Sequence, residues 1–231
     1  PACAEKVEDS LEKMGVKMRL GAAISRIVEQ GDGIEAYFAD HDLAEKADFI
    51  VLCIGARSNM SFVNQDEVAT GAGVLVDDHM CTNVENLYAA GDVAQGTNLL
   101  TGKKETIALW ANARYQGRTA GANMAGVNQT YPGNIPHNIT HFLDMDFVGI
   151  GDVRNGSREE EIVTKDGYYY LVFNDKGLQG INMFGRFHES GLVKSRMIKR
   201  LLLHNNLPTG NYDFSNDLLM QYIKKTILYM G

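Results

Sequence analysis

The stretch from Thr82 to Gly126 limits what this chain can fold into more than any other part of the sequence. It begins with a short apolar run, TNVENLYAAGD, that ends abruptly at Gly91 and Asp92. A strand that ends in glycine lets the backbone approach a ligand closely, because no Cβ stands in the way. The aspartate then lies at the carboxyl end of a strand, where open α/β sheets bind their ligands. This pair therefore predicts a carboxylate that faces sugar-like hydroxyl groups.

The second part of this stretch, residues 108–126, predicts a helix. Its small residues recur every four positions, which places them on one face: Ala113, Gly117, Gly121 and Ala125. Such a face allows the helix to lie very close to whatever it packs on. On local pattern alone, the Gly-Asp pair would also fit an ordinary turn with a capping aspartate, so the prediction depends on the whole stretch.

The whole stretch resembles the second flavin-binding motif of the FAD-dependent pyridine nucleotide-disulfide oxidoreductases: Thr, a few residues, an aromatic residue, Ala, any residue, Gly-Asp. The resemblance implies that Asp92, next to Gly91, holds the ribityl chain of FAD. It also implies that the helix starting near Leu109 and Trp110, with Ala113 close behind, points its amino end at the flavin pyrimidine ring. A helix N-terminus offers unpaired N–H groups and partial positive charge to such a ring.

The residues before this stretch predict a helix followed by strands. Residues 2–14 have apolar side chains at helical spacing, and residues 22–30 and 34–39 alternate like the two strands of a hairpin. The turn between these strands also spells G-x-G-x-x-A from Gly31 to Ala36. That fingerprint binds phosphate only where a helix begins on it, and strand residues follow here. We therefore predict a hairpin.

The run ADFIVLCIG, residues 47–55, is continuously apolar and predicts a strand covered on both faces, with Cys53 as a small buried residue. In the resembled family, the corresponding strand ends with the motif Gly-x-x-Pro-Asn, at the edge of the nicotinamide nucleotide site. This chain has Gly55 and Asn59 but Ser58 in the proline position. Gly55 is therefore a candidate nucleotide neighbour by resemblance, and a plain turn glycine is the alternative.

The sequence after Gly126 changes character. A linker with two prolines precedes a strand-rich region over residues 140–186, which contains a hairpin signal at residues 175–177. Two amphipathic helices are predicted at the end, over residues 191–203 and from Ser215 onwards.

Two pairs of residues invite other functional readings. His137 and His141 lie four apart, but Pro136 and the strand pattern argue against a helical metal-binding face, so we predict no metal ligand. Lys103 and Lys104 could meet a phosphate, although a solvated loop is the simpler interpretation.

Composition excludes several classes of protein. The net charge of −7, from 22 basic and 29 acidic residues, argues against a nucleic-acid partner. No apolar run is long enough to cross a membrane. The three cysteines are odd in number and widely spaced, which indicates neither a disulfide framework nor a zinc site. We therefore expect a cytoplasmic protein.

The predicted fold class is α/β with an α+β carboxy-terminal domain. The resemblance divides the chain into the carboxy-terminal half of an NAD(P)-binding lobe (1–79), the last segment of an FAD-binding lobe (80–130), and a small antiparallel-sheet interface domain with two tail helices (131–231). Both Rossmann-like lobes would be incomplete, because the family's FAD and NAD fingerprints and its redox cysteine are not found here. We therefore expect the carboxy-terminal portion of a longer enzyme, inactive by itself.

For that longer enzyme, the resemblance implies electron transfer from NAD(P)H through FAD to a disulfide, oxygen or redox-protein acceptor, in a homodimer. No residue of this chain is a credible proton donor or nucleophile, so we assign no catalytic residue. The alternative is a cofactor-free dimerisation or interaction module derived from such an enzyme.

Overall fold

The computed structural model describes residues 2–39, 41–142, 145–165, 167–185 and 188–204. The chain divides into two compact units, residues 1–56 and residues 57–231, each of which is described by itself.

The described residues of the first unit form one helix and one antiparallel sheet of order β1-β2-β3. Its elements are α1 (Ala2–Lys13), β1 (Ile24–Gln30), β2 (Gly33–Phe38) and β3 (His41–Ala47). Gln30 pairs with Gly33 across a two-residue turn, in which Gly31 has a φ of +60°. The predicted helix and hairpin are confirmed, and the G-x-G-x-x-A string is part of a strand turn.

The prediction of a doubly covered strand at residues 47–55 was wrong. Ala47 ends β3, and no strand is formed over residues 48–55. Phe49 is 73% exposed and Ile54 is 90% exposed, and Cys53 is exposed as well. A continuous apolar run is buried only where strands pair beside it and layers cover both of its faces. Among the described residues of the first unit, no strand pairs with this run, and no layer covers both of its faces.

The amino-terminal part of the second unit combines a small sheet with a long helix. The sheet has the order β4-β5-β6, with β4 parallel to β5 and β5 antiparallel to β6. Its strands are β4 (Val74–Leu75), β5 (Ala94–Thr97) and β6 (Lys104–Glu105), and the helix is α2 (Trp110–Met124). The predicted helix is confirmed. Met80 and Ala94 are fully buried in the core beneath it.

The small-residue face of α2 does not pack as predicted. A Cβ built on Gly117 or Gly121 would meet no side chain and no atom of another element within 4 Å among the described residues. The buried face is a different one, formed by Asn112, Gln116, Thr119 and Ala120. Of the small residues, Ala113 lies close to another segment, since a Cβ built on Gly91 would lie 3.4 Å from its Cβ.

In the carboxy-terminal part of the second unit, the described residues form a five-stranded antiparallel sheet of order β7-β8-β11-β10-β9 and one helix against it. Its elements are β7 (His137–Phe142), β8 (Met145–Gly151), β9 (Arg158–Val163), β10 (Tyr168–Asn174), β11 (Gly177–Phe184) and α3 (Ser190–His204). Val193, Met197 and Leu201 of α3 join the core of the sheet. Full burial of an aliphatic side chain contributes roughly 1.5–3 kcal/mol, so these residues anchor α3.

The α/β fold class is confirmed, as are the hairpin at residues 175–177 and the first tail helix. The second tail helix, predicted from Ser215, lies outside the described residues. The division at residues 79 and 130 stays a prediction. None of the described helices has both the length and the apolar character needed to cross a membrane.

Candidate functional site

The backbone around Asp92 is shaped by a left-handed glycine. Ala90 is extended, Gly91 has a φ of +84°, and a single 3-10 turn over Gly91–Val93 follows. A Cβ on Gly91 would also lie 3.4 Å from the Cβ of Ala113. L side chains rarely adopt such a φ, so glycine allows both the bend and the close approach to α2. The bend places the side chain of Asp92 on the surface.

Two hydrogen bonds hold the backbone on either side of the Asp92 side chain. The Gly91 N–H donates to Oε1 of Gln116 at 2.8 Å, and the Ser58 hydroxyl donates to the Asp92 carbonyl at 2.6 Å. Within the described part of the chain, the Asp92 carboxylate itself makes no hydrogen bond and no ion pair. The main chain is thus fixed while the carboxylate stays free to accept hydrogen bonds from a ligand.

The amino end of α2 has no side-chain cap. Leu109, at the N-cap position, has extended backbone angles, and no side chain caps the helix. The first N–H groups of a helix have no intrahelical partner and carry partial positive charge. Trp110 is 76% exposed, and the Arg114 guanidinium lies 4.8 Å from the centre of its ring. The helix therefore presents uncapped donors to a ligand that approaches its amino end.

A buried polar network fixes where α2 begins. Asn112, 1% exposed, donates from Nδ2 to the carbonyl of Ile107 at 3.0 Å. Its Oδ1 accepts from the hydroxyl of Tyr131 at 2.6 Å and from Nδ2 of Asn134 at 3.0 Å. Together with fully buried Gln116, which holds Gly91, this network ties the helix to the preceding loop and the following linker.

These positioning residues were missed in the sequence. Asn112, Gln116 and Thr119 follow one another at intervals of four and three residues, the spacing of one helix face. Sets of polar residues at this spacing usually face solvent, and here they face the core. The spacing is visible in the sequence, but it does not by itself indicate that this polar face is buried.

Burial raises the pKa of Tyr131 to about 12, while the side-chain amides of Gln116 and Asn112 lower it to a lesser extent. The unfolded tyrosine, with a pKa near 10, ionises first as the pH rises. The stabilisation linked to the neutral phenol is therefore complete below pH 10 and is lost between pH 10 and 12.

We expect Tyr131→Phe to be less stable than the unchanged protein at neutral pH, by about 1 kcal/mol for the lost hydrogen bond. At about pH 11.5 this difference in the free energy of unfolding should disappear or reverse. The unchanged protein loses on the order of 2 kcal/mol of stability at that pH, and the phenylalanine variant does not. The measurement is urea unfolding at both pH values, followed by the fluorescence of Trp110, the single tryptophan. A stability difference that stays the same at both pH values would contradict the raised pKa of Tyr131.

The sequence also offered Gly55, Lys104 and His141 as candidates, and each is described by itself. Gly55, in the first unit, is exposed with a φ of +100°. Lys104 is ion-paired with Asp78 at 2.8 Å, and this hydrogen bond lowers the pKa of the Asp78 carboxyl. His141 pairs with Asp146. Among the described residues, no group of three or more histidine, cysteine, aspartate or glutamate side chains could hold a metal ion.

Comparisons with known proteins agree with the fold. A model of the pyridine nucleotide-disulphide oxidoreductase family matches residues 1–117. The chain is 30% identical to the NADH-dependent phenylglyoxylate dehydrogenase subunit epsilon of Aromatoleum evansii, over 85% of this chain and 48% of that protein. It is 26% identical to the NADH-rubredoxin oxidoreductase of Clostridium acetobutylicum, over 78% of this chain and 42% of that protein. The chain thus spans about half the length of these curated relatives.

A solved structure shares the fold over most of the chain. It is an FAD-dependent pyridine nucleotide-disulphide oxidoreductase from Desulfovibrio vulgaris, with a TM-score of 0.77 at 21% identity. The match covers 99% of this chain and 59% of that one.

Proposed function

The chain belongs to the pyridine nucleotide-disulphide oxidoreductase family, and on that basis we propose that it forms part of a flavin-dependent NAD(P)H oxidoreductase. In this proposal it supplies the surface that holds the ribityl and pyrimidine end of FAD. One observation carries the proposal: the free carboxylate of Asp92 follows a left-handed glycine that contacts the first turn of an uncapped helix.

The residues present fit such a ligand. The Asp92 carboxylate would accept hydrogen bonds from ribityl hydroxyls, and charge-assisted bonds of this kind are among the stronger ones in proteins. Gly91 keeps the backbone clear of the ligand, and Leu109, Trp110 and Ala113 form the helix start that would face the pyrimidine ring. The uncapped N–H groups would stabilise negative charge at that ring.

The bound flavin supplies the redox chemistry between NAD(P)H and an acceptor, while the protein contributes orientation and electrostatics. We propose Gly55 as a neighbour of the nicotinamide nucleotide; its positive φ and exposure leave the backbone accessible there. The relative from Clostridium acetobutylicum is named for rubredoxin, a redox protein. We propose a redox protein, a disulfide or oxygen as the acceptor for the whole enzyme, and a homodimer as its assembly.

Riboflavin tests this proposal more sharply than FAD, because it contains the ribityl chain and the ring system but no phosphate or adenosine. We expect the purified chain to raise the fluorescence anisotropy of riboflavin, and FAD to compete for the same site. We also expect no NADH consumption by the chain alone with added flavin. An anisotropy that stays at the free-ligand value up to about millimolar protein would refute the flavin site, since weak ligands bind in that range.

A second candidate function, a cofactor-free interaction module, is favoured by the exposed apolar run in the first unit. Phe49, Val51, Leu52 and Ile54 are all exposed there, and a run of this kind is typical of surfaces that pair with another chain. Sedimentation analysis separates the two functions. A colourless dimer without riboflavin binding would favour the interaction module, and riboflavin binding would favour the enzyme part.

A further inference from the structure

The second unit contains a cavity that is not part of the proposed flavin site. It has a volume of about 510 Å³ and lies between α2, the linker over residues 129–137, and α3. Small-molecule sites in proteins typically have volumes of about 300–1,000 Å³. The residues of α2 that line it include Tyr115 and Arg118, not the Leu109 and Ala113 that mark the other site.

The ionisable side chains that line this cavity, apart from tyrosine, are all basic. They are Arg118 from α2, Lys194 from α3 and His137 from the start of β7, and no aspartate or glutamate is found among the described residues of the lining. Lys194 is only partly exposed, and burial lowers the pKa of its amine. A partly buried cation without a facing carboxylate is stabilised by an anion that enters the cavity.

His137 adds an unsatisfied polar atom. Its Nε2 is buried and has no hydrogen-bond partner within the described part of the chain. Burial, and then the positive charge of Lys194, lower the pKa of His137, and both residues line the cavity. More than nine in ten buried polar atoms in native proteins have a partner, so this nitrogen indicates a missing one.

The remaining lining indicates what else the ligand contains. Tyr115, Pro132 and Ile198 contribute ring and aliphatic surface, and Tyr115 is exposed enough to stack on a flat group. An inorganic anion alone would fill only a small part of the cavity. Flat apolar groups bind well on aromatic side chains in offset or edge-on arrangements.

We propose that this cavity binds a small organic anion, a phosphate monoester or a carboxylate with a flat apolar body. Arg118 and Lys194 hold the anionic group, His137 forms a hydrogen bond with it, and the apolar body lies against Tyr115 and Pro132. Arg118, Lys194 and His137 have no role in the proposed flavin site, so the two proposals are tested separately.

Three matched probes test the site by isothermal titration calorimetry on the full chain: phenyl phosphate, benzoate and neutral phenol. We expect at least one of the two anions to bind at least tenfold more tightly than phenol, because a hydrogen bond to a charged group contributes about 1.5–3 kcal/mol. The stronger of the two anions identifies the head group. Equal binding of all three, or no heat from any, overturns the proposal.

Two variants and a control locate the site. Lys194→Gln should weaken binding of the tighter anion roughly tenfold. Lys199→Gln, with the same charge change on the same helix but outside the cavity lining, should leave it unchanged. Ser195→Trp, at an exposed lining position, should block the cavity without altering charge. Circular dichroism verifies folding of each. Equal losses in Lys194→Gln and Lys199→Gln, or full binding by Ser195→Trp, would place the anion elsewhere.

Discussion

Asn112→Leu is expected to lower the free energy of unfolding of the second unit by about 3 kcal/mol, the largest stability effect of any substitution at the site. Leucine matches asparagine in size but offers no donor or acceptor. The carbonyl of Ile107, the hydroxyl of Tyr131 and the amide of Asn134 would each lose a buried partner. The Ile107 carbonyl keeps a second partner, the Leu109 N–H, so most of the loss comes from Tyr131 and Asn134. Each buried group left unsatisfied costs about 1–3 kcal/mol, less whatever water and relaxation recover.

The measurement is urea denaturation followed by Trp110 fluorescence, which reports on the second unit because the chain has a single tryptophan. Asn128→Leu is the matched control, since Asn128 is exposed in the linker after α2 and should tolerate leucine with little change. A double-mutant cycle with Tyr131→Phe should show positive coupling, because both substitutions break the same hydrogen bond. Strictly additive effects would show that the network does not act as a unit.

The same network shows where prediction from the sequence succeeds. Helix α2 and the hairpins at residues 31–32 and 175–176 were predicted because their signals are local: helical periodicity, and turn residues between alternating strands. Gly91 and Asp92, by contrast, were predicted at the carboxyl end of a strand, and that prediction was wrong, because Gly91 begins a 3-10 turn. No regular strand precedes this bend, only a bridge between Cys81 and Tyr88.

Prediction failed where a residue's environment depends on distant parts of the chain. Residues 47–55 have the composition of a central strand, but burial of such a run requires neighbours on every side, which periodicity within the run does not reveal. The buried face of α2 was not predicted, for a related reason. Gly117 and Gly121 suggested close packing, whereas Asn112 and Gln116 are buried because Tyr131 and Gly91 supply their hydrogen-bond partners.

We expect Asp92→Asn to weaken riboflavin binding by about tenfold to a hundredfold, the largest effect on ligand binding. Asparagine keeps the shape of the side chain but loses the charge and one acceptor. Hydrogen bonds to a charged group contribute about 1.5–3 kcal/mol, and each 1.4 kcal/mol corresponds to a factor of ten in affinity. The stability of the protein should not change, because the Asp92 carboxylate makes no hydrogen bond or ion pair within the described part of the chain.

This combination, lost binding at unchanged stability, separates Asp92 from Asn112, which acts through the fold. The measurement is riboflavin anisotropy together with urea denaturation, and Asp66→Asn, at an exposed position of the same unit, controls for the change in net charge. Equal weakening in both aspartate variants would indicate that overall charge, and not a contact at Asp92, governs affinity. Undiminished binding by Asp92→Asn would show that the carboxylate does not hold the ribityl chain. The uncapped start of α2 would then be the remaining basis for flavin binding, because only its free N–H groups would distinguish this surface from an ordinary loop.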